Sequence, residues 1–342
     1  MKRILVTRFS AMGDVAMVAS VLREFQEQHT EVEIIMVSRA FFAPFFQGIP
    51  RVSFHPIYPE KQHQGLVGLY KLFKELRAYR PTELADLHDN IRSNILSTFF
   101  RMSGYKVRTI DKGRKEKKAL TRPINKIKKQ LKLTTERYAD VFRSLGYAFQ
   151  LSNQLQRSPA SLPKDIQTLF VGEKKYLGIA PFAQHPYKVF ALDRMEGVIA
   201  GLAADNIQIL VFGGGSKEKE IVDTWAKKHP HVFNTIGKFS LREELDIIAN
   251  LDLMLSMDSS GMHMASLVGI RSLSIWGATH PFAGFIGYGQ SIEDCIQVEH
   301  PNRPSSVYGN KPCICDGTEA IDLLTAEMVI SKVKNILLKT TF

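Results

Sequence analysis

Cysteine is scarce in this chain: Cys295, Cys313 and Cys315 are the three thiols in 342 residues. Three thiols cannot build a disulfide framework, and the remaining reading is a reducing, cytoplasmic compartment. Long apolar runs are missing too. No stretch approaches the roughly 18 consecutive apolar residues of a spanning helix. Ile4-Leu5-Val6 meets Thr7-Arg8 too soon for a secretory core. There is no GxGxxG fingerprint, which argues against a dinucleotide-dependent oxidoreductase, and no P-loop with its lysine and Ser/Thr in place. No two aspartates are separated by a single residue, so a D-x-D clamp for a metal–diphosphate is excluded. Cys313 and Cys315 lie one residue apart without a nearby pair of histidines, which fails zinc spacing, so no metal site is expected. Repeats at solenoid periods are absent.

What remains is an ordinary folded composition, 44% apolar and 23% charged, and a length for which two domains are the natural prior. The net charge of +11 is not evenly spread. Residues 106–137 hold thirteen Lys/Arg against three acids, a net +10, and the rest of the chain is close to neutral. Such a window ordinarily suggests nucleic acid, but its aromatic support is thin, with Tyr105 at its border. An anionic head group, or the anionic face of a membrane, is the other partner it suits. The spacing across Leu120–Leu133 is compatible with an interfacial helix, and a solvated loop is the third reading.

Apolar patterning predicts an α/β chain. Strand Lys2–Thr7, helix Val15–Phe25 and strand Glu33–Val37 open a parallel sheet. Helix Leu66–Arg77, strand Leu84–Leu87, helix Ile91–Arg101 and helix Arg137–Leu145 follow. Ser158-Pro159 and Leu162-Pro163 mark a linker in 151–174. A second series runs through strand Tyr176–Ala180, helix Met195–Ala204, strand Ile207–Phe212, helix Lys217–Lys228, strand 233–236 and helix Leu241–Ala249. Strand Leu253–Ser256, helix Met262–Val268, strand Arg271–Trp276 and a closing helix Thr325–Leu338 complete it. The expected domains are 1–165 and 166–342, the last helix packing back on the first domain.

Four segments sit after strands, where open parallel sheets bind ligands. In Ser10-Ala11-Met12-Gly13-Asp14, Asp14 is either a carboxylate that takes a proton from a substrate hydroxyl or an N-cap. In Ala180-Pro181-Phe182-Ala183 with Lys188, the lysine either neutralises a phosphate or is a surface cation. Phe212-Gly213-Gly214-Gly215-Ser216, followed by Glu218 and Glu220, lets backbone approach a nucleotide or is simply a turn. Asp258-Ser259-Ser260-Gly261-Met262-His263 offers hydroxyls and helix-start N–H groups to an anion, and Thr279 recurs after the next strand.

Together these segments resemble the heptosyltransferase family of glycosyltransferases, family 9, whose donors are of the ADP-heptose type. The likeness is carried in order by Arg8-x5-Asp14, Asp86-Leu87-His88-Asp89-Asn90-x-Arg92-Ser93 and Pro181-x-Ala183-x4-Lys188. It continues through Gly214-Gly215-x2-Glu218-x-Glu220, Asp258-Ser259-x2-Met262-His263-x-Ala265 and Gly277-x-Thr279-x-Pro281. The resemblance implies a GT-B fold, two Rossmann-like domains facing a central cleft. It also implies inverting, metal-independent transfer from a nucleotide-diphosphate sugar, heptose first, to a lipopolysaccharide-core or lipid A-like glycolipid. No cofactor is implied beyond that donor substrate. Asp14 then matches the base; Lys188, Gly214, Gly215, Glu218, Asp258, Ser259, Ser260, Gly261, Met262, His263 and Thr279 match the donor site. Acceptor contacts are expected from Ser10, Gly13, Asn90, Arg92, Arg114, Lys115, Lys117 and Lys118, with peripheral contact at the inner membrane leaflet and no nucleic acid. The chain departs from the family pattern at Phe182, usually Gly, at Phe190-Ala191, usually Trp-Pro, and at Ser259-Ser260, usually Thr-Gly. The same chemistry on another nucleotide sugar or acceptor is the alternative, and a nucleic-acid-binding α/β protein a more distant one.

Overall fold

The computed structural model describes residues 2–157, 160–203 and 206–338. The chain divides into two compact units, one of 1–114 and 132–152, the other of 115–131 and 153–342. Each is built on a parallel sheet.

The first unit runs β1 (Lys2–Thr7), α1 (Met12–Gln28), β2 (Val32–Arg39), β3 (Val52–Ile57), α2 (Gly65–Arg77), β4 (Glu83–Asp86), α3 (Ile91–Met102) and β5 (Lys106–Thr109). Helix α4 (Arg114–Thr121) follows, across the division between units, and α5 (Thr134–Leu145) returns to the first. The strand order is β3-β2-β1-β4-β5. Ile4, Leu5 and Val6 of the central strand are fully buried, as a strand covered on both faces requires. The spacing missed β3 and β5. β3 contains His55 and Pro56, and β5 is Lys-Val-Arg-Thr, so neither shows an apolar run.

The second unit runs β6 (Lys175–Ala180), α6 (Leu192–Gly201), β7 (Ile207–Val211), α7 (Ser216–Lys228), β8 (Val232–Asn234), α8 (Leu241–Ile248), β9 (Leu253–Met257), α9 (Ser260–Leu267), β10 (Ser272–Ile275), β11 (Cys295–Ile296) and α10 (Ala326–Leu337). Its sheet is ordered β11-β10-β9-β6-β7-β8. The reversal of order at β6 and β9 creates the switch point at which doubly wound sheets take ligands.

Two expectations need correcting. The long chain run of the second unit starts at Asn153, not 166, and the unit also claims 115–131. Of the expected linker, Ser158-Pro159 lies outside the described residues, as does Ala204 at the expected end of α6. The closing helix packs on α6, and its Val329, Val333 and Leu337 join the second unit's core. Finally, Leu120–Leu133 is not a helix. α4 stops at Thr121 because Pro123 disfavours helical backbone at Arg122 and cannot donate an N–H.

Candidate functional site

In the first unit, β1 and β4 are neighbours, with Thr7 opposite Asp86, so the loops that follow them leave the sheet side by side. Asp14 is the third residue inside α1, whose N-cap is Ala11, so the N-cap reading of Asp14 fails. Its Oδ2 accepts the Ala11 N–H at 3.3 Å and pairs with Arg8 Nη2 at 2.6 Å. The Tyr138 hydroxyl from α5 lies 3.4 Å from Oδ1. Arg8 is itself fixed: Nη1 donates to the Leu87 carbonyl at 2.9 Å, and the guanidinium lies over the Tyr138 ring. A buried arginine thus holds a partly exposed carboxylate by one oxygen at the start of a helix.

Asp86 organises the neighbouring loop. Fully buried, it accepts hydrogen bonds from the Thr7 hydroxyl and from the His88 and Asp89 N–H groups. His88 Nδ1 accepts the Phe9 N–H at 3.1 Å, and Nε2 faces the Asn90 amide at 3.2 Å. Burial, then the nearby Arg8 and Lys112, push the His88 pKa down to about 3, so this imidazole is neutral across the physiological range. Asn90 caps α3 through the Ser93 N–H, and Arg92 is exposed beside it. Lys112 donates to the Asp89 carbonyl at 3.0 Å, and Arg114 pairs with the Asp89 carboxylate at 2.5 Å. Burial lowers the Lys112 pKa, and Arg8 adds to the effect. Ser10 and Gly13 flank the start of α1, half-buried.

In the second unit, the sheet order β10-β9-β6-β7 brings the four loops predicted to bind a donor to one edge. Lys188 Nζ pairs with Asp258 Oδ2 at 2.9 Å, both side chains largely buried. The lysine stem packs on Gly309, where a Cβ would overlap it. The residue before it is tied down as well, since the Tyr187 carbonyl accepts the Ala278 N–H at 3.2 Å. Ser259 is the N-cap of α9 but makes no side-chain cap, so the first turn through Ser260 and Gly261 is not closed by its own cap residue. Gly261 is required by close approach, for a Cβ there would stand 2.5 Å from Ala180 Cβ and 2.8 Å from Ser256 Oγ. His263 is buried in that first turn. The side chain of Met262 points elsewhere, into a cluster with Trp276 and Cys295, and its N–H is taken by Ser256 Oγ at 3.1 Å. Of the donor residues, Met262 therefore contributes packing.

Glu218, in the first turn of α7, accepts the Gly214 N–H at 2.7 Å, which folds the carboxylate over the glycine turn. Gly215 adopts φ +87 as the N-cap, a left-handed value that favours glycine. Thr279 is 1% exposed, and its Oγ1 is buried without a hydrogen-bond partner. An orphaned hydroxyl at that position costs stability unless a ligand uses it. The Thr279 carbonyl is held by Arg303, fully buried, which also donates to the Gly277 and Trp276 carbonyls. Two of the departures from the family pattern now have places. Phe190 is a core residue with no exposure, while Phe182 borders Gly213 at the glycine turn.

The basic window is split by the fold. Lys117 is buried with its ammonium 4.1 Å from the Phe285 ring centroid; Lys115 and Lys118 are exposed. Leu120 and Leu131 pack with Ala283, and the Leu131 N–H donates to the Phe282 carbonyl. Lys126 donates to the carbonyls of Asn302 and Pro304, and Lys128 pairs with Glu299 at 2.5 Å. A tethered strap replaces the solvated loop, and several of its cations are spent on protein.

Arg8, Tyr138, His88, Lys112 and Arg303 were not singled out as site residues. Arg8 and His88 lie within the first and second motifs; the others carry no local signal, Tyr138 reaching Asp14 over a separation of 124, Lys112 reaching Asp89 over 23 and Arg303 reaching Thr279 over 24. Among the described residues, no three His, Cys, Asp or Glu side chains gather as metal ligands would, and no helix is long and apolar enough to cross a membrane.

Comparison with known proteins agrees with this fold. The family model for glycosyltransferase family 9 (heptosyltransferase) matches residues 69–311. The chain is 22% identical over 287 residues to the lipopolysaccharide core heptosyltransferase OpsX of Haemophilus influenzae, covering 82% of this chain and 80% of that one. It is 23% identical to lipooligosaccharide heptosyltransferase 2 of the same organism, covering 81% and 84%. In fold it is similar to a family 9 glycosyltransferase from Veillonella parvula, with TM-score 0.76, 16% identity and coverage of 99% and 98%. It is likewise similar to E. coli heptosyltransferase WaaC bound to ADP-2-deoxy-2-fluoro heptose, with TM-score 0.68, 19% identity and coverage of 97% and 99%. The two parallel-sheet units are those of a GT-B enzyme. With its matched region spanning well over half of the sequence, the chain belongs to glycosyltransferase family 9 (heptosyltransferase) and is a glycosyltransferase.

Proposed function

We propose that this enzyme moves a heptose, with inversion and without a metal, from an ADP-heptose-type donor to a lipopolysaccharide-core or lipid A-like acceptor. The relatives support the substrate class: two are named for lipopolysaccharide or lipooligosaccharide heptosyl transfer, and one fold neighbour holds a fluorinated ADP-heptose. The observation that carries the reading is the Arg8-anchored Asp14 carboxylate at the carboxyl end of β1.

Asp14 acts as the general base. A carboxylate paired to arginine is a weak base towards a free alcohol, so the acceptor proton moves late, once the forming C–O bond has made the hydroxyl strongly acidic. The anomeric carbon then carries oxocarbenium character, and the leaving diphosphate gathers negative charge. Lys188, the first-turn N–H groups of α9 and His263 stabilise that charge, with Asp258 orienting the lysine. The Thr279 hydroxyl supplies a hydrogen bond to the donor, and Glu218 holds the ribose at the glycine turn. Asn90, Arg92, Arg114, Lys115 and Lys118 serve the anionic acceptor. Because Lys117, Lys126 and Lys128 are already engaged with protein groups, the strap is a poor nucleic-acid platform. The enzyme works in the cytoplasm, peripherally at the inner face of the membrane, and needs no cofactor.

The test is transfer from a panel of nucleotide sugars to a re-extracted core acceptor, with product anomer read by NMR. Asp14→Asn keeps the shape and lowers kcat by about 10²–10⁴. Near-wild-type transfer by that variant, or retention of anomeric configuration, overturns the assignment.

A further inference from the structure

Helices α2 and α3 carry a surface that neither the site nor the core accounts for. They pack side by side through Phe73, Phe99 and Phe100, and Tyr70 meets Phe99 edge-on at 5.7 Å. Their outward residues are unusual. Leu66, Val67 and Ile91 are 63%, 84% and 81% exposed, and Tyr70 is nearly half exposed. Leu66, Tyr70 and Lys74 form one stripe at i, i+4 spacing, and Val67 and Lys71 form the next. The Lys74 ammonium lies 4.9 Å from the Tyr70 ring centroid, the arrangement of a long cation snorkelling beside an apolar body.

Charge on this face has one sign. Lys71, Lys74 and Arg92 are exposed, α3 contains no acid, and the sole acid of α2, Glu75, turns inward to His55 and His63 at 3.3 and 3.1 Å. Apolar side chains embedded among cations are the composition of an element lying in an anionic bilayer interface. A protein partner of ordinary charge would leave the lysines unmatched. Location points the same way. α2 follows β3 and α3 follows β4 in an all-parallel sheet, so the starts of both helices share the strand-end edge with the start of α1, which carries Asp14.

We infer that the exposed face formed by Leu66, Val67, Tyr70 and Ile91 with Lys71 and Lys74 docks the first unit on an anionic lipid bilayer. Lipid head groups meet the ammonium groups, and the aliphatic tips enter the acyl boundary. A glycolipid acceptor held in that bilayer is then presented at the same edge as Asp14. The inference rests on the proposed lipid-borne acceptor and places its membrane contact on α2 and α3, apart from the 115–131 strap.

The experiment is flotation of the full chain with vesicles of phosphatidylglycerol and phosphatidylethanolamine, and with vesicles of phosphatidylcholine alone. The wild type floats with the anionic vesicles and stays behind with the neutral ones. Leu66→Ser/Val67→Ser/Ile91→Ser and Lys71→Glu/Lys74→Glu each lower anionic partitioning by about tenfold or more. Both keep their transfer rate on a detergent-dispersed acceptor. Lys115→Glu/Lys118→Glu floats like wild type. The inference is overturned if the two α2–α3 variants float like wild type, or if only the strap variant is lost. It is overturned equally if the wild type is a dimer that the serine variant dissolves, because a second copy then covers the face. Vesicle binding as expected, with no transfer to any lipid acceptor, leaves the docking intact and refutes the proposed function instead.

Discussion

Replacing Lys188 separates what the lysine does for folding from the catalytic role proposed for it. Its ammonium stands 2.9 Å from an Asp258 carboxylate that is 5% exposed, and the lysine side chain is itself only 16% exposed. At an effective dielectric of about 20, two unit charges at that distance attract by about 6 kcal/mol before either is desolvated. Lys188→Met keeps the stem that fills the space beside Gly309 but strands the buried carboxylate. Breaking such a pair from one side costs about 3–5 kcal/mol, and the remaining solvent access of Lys188 places the cost near the lower end, about 3. For a unit of about 200 residues this lowers Tm by roughly 6–12 °C. Lys188→Met/Asp258→Asn removes both charges, leaves hydrogen-bonding groups in place and recovers most of the loss, to within about 1 kcal/mol of wild type. Transfer is not recovered. With no cation at the leaving diphosphate, both variants fall by about 10²–10³ in kcat. Scanning calorimetry on the wild type, the two single variants and the double closes the cycle, and initial rates at saturating donor supply the catalytic side. A double variant that melts no higher than Lys188→Met refutes the ion-pair argument. A Lys188→Met enzyme that transfers within about threefold of wild type refutes the catalytic one.

The remaining predictions concern single positions. Thr279→Val deletes a buried hydroxyl that has no partner, so Tm is unchanged or rises, while the Kd for the nucleotide-diphosphate donor weakens by about tenfold by calorimetry. Gly261→Ala drives a methyl against Ala180 and Ser256 and costs about 1–3 kcal/mol in chemical denaturation, with weaker donor binding from the displaced helix start. His88 is neutral in the folded chain down to about pH 3, whereas the unfolded chain protonates it near pH 6.5. Between those values the unfolded state binds more protons, so stability rises with pH across this window and falls as acid is added, by about 2 kcal/mol at pH 5. His88→Gln flattens that acid limb in urea titrations at successive pH values; an unchanged slope refutes the assignment.

Much of the candidate site was legible because the segments it gathers are loops after strands. Gly214-Gly215, Asp258-Ser259 and Gly277-x-Thr279 carry short-range signatures, and each falls at the carboxyl end of the strand that precedes it. Parallel pairing alone then brings them together. What sequence could not reveal is convergence. Tyr138 reaches Asp14 from α5, Lys112 reaches Asp89 across β5, and Arg303 clamps the Thr279 loop from 24 residues downstream. None of these residues has a local pattern distinguishing it from a surface cation or a core tyrosine. Periodicity also misled at Leu120–Leu133. The apolar positions there are real, since Leu120 and Leu131 are buried, but Pro123 ends the helix just after Leu120, and Leu131 is reached along irregular backbone.

The assignment of 115–131 to the second unit decides how this enzyme can be taken apart. The chain passes between units at 114/115, 131/132 and 152/153. A fragment ending at Ser152 would carry Leu120 and Leu131 with nothing to cover them, and a fragment beginning at Asn153 would leave Ala283 and Phe282 bare. One cut therefore does not yield two soluble halves. During synthesis the strap must also wait for residues about 150 positions later before it finds its apolar partners, so the second unit completes its fold only after nearly the whole polypeptide has been made.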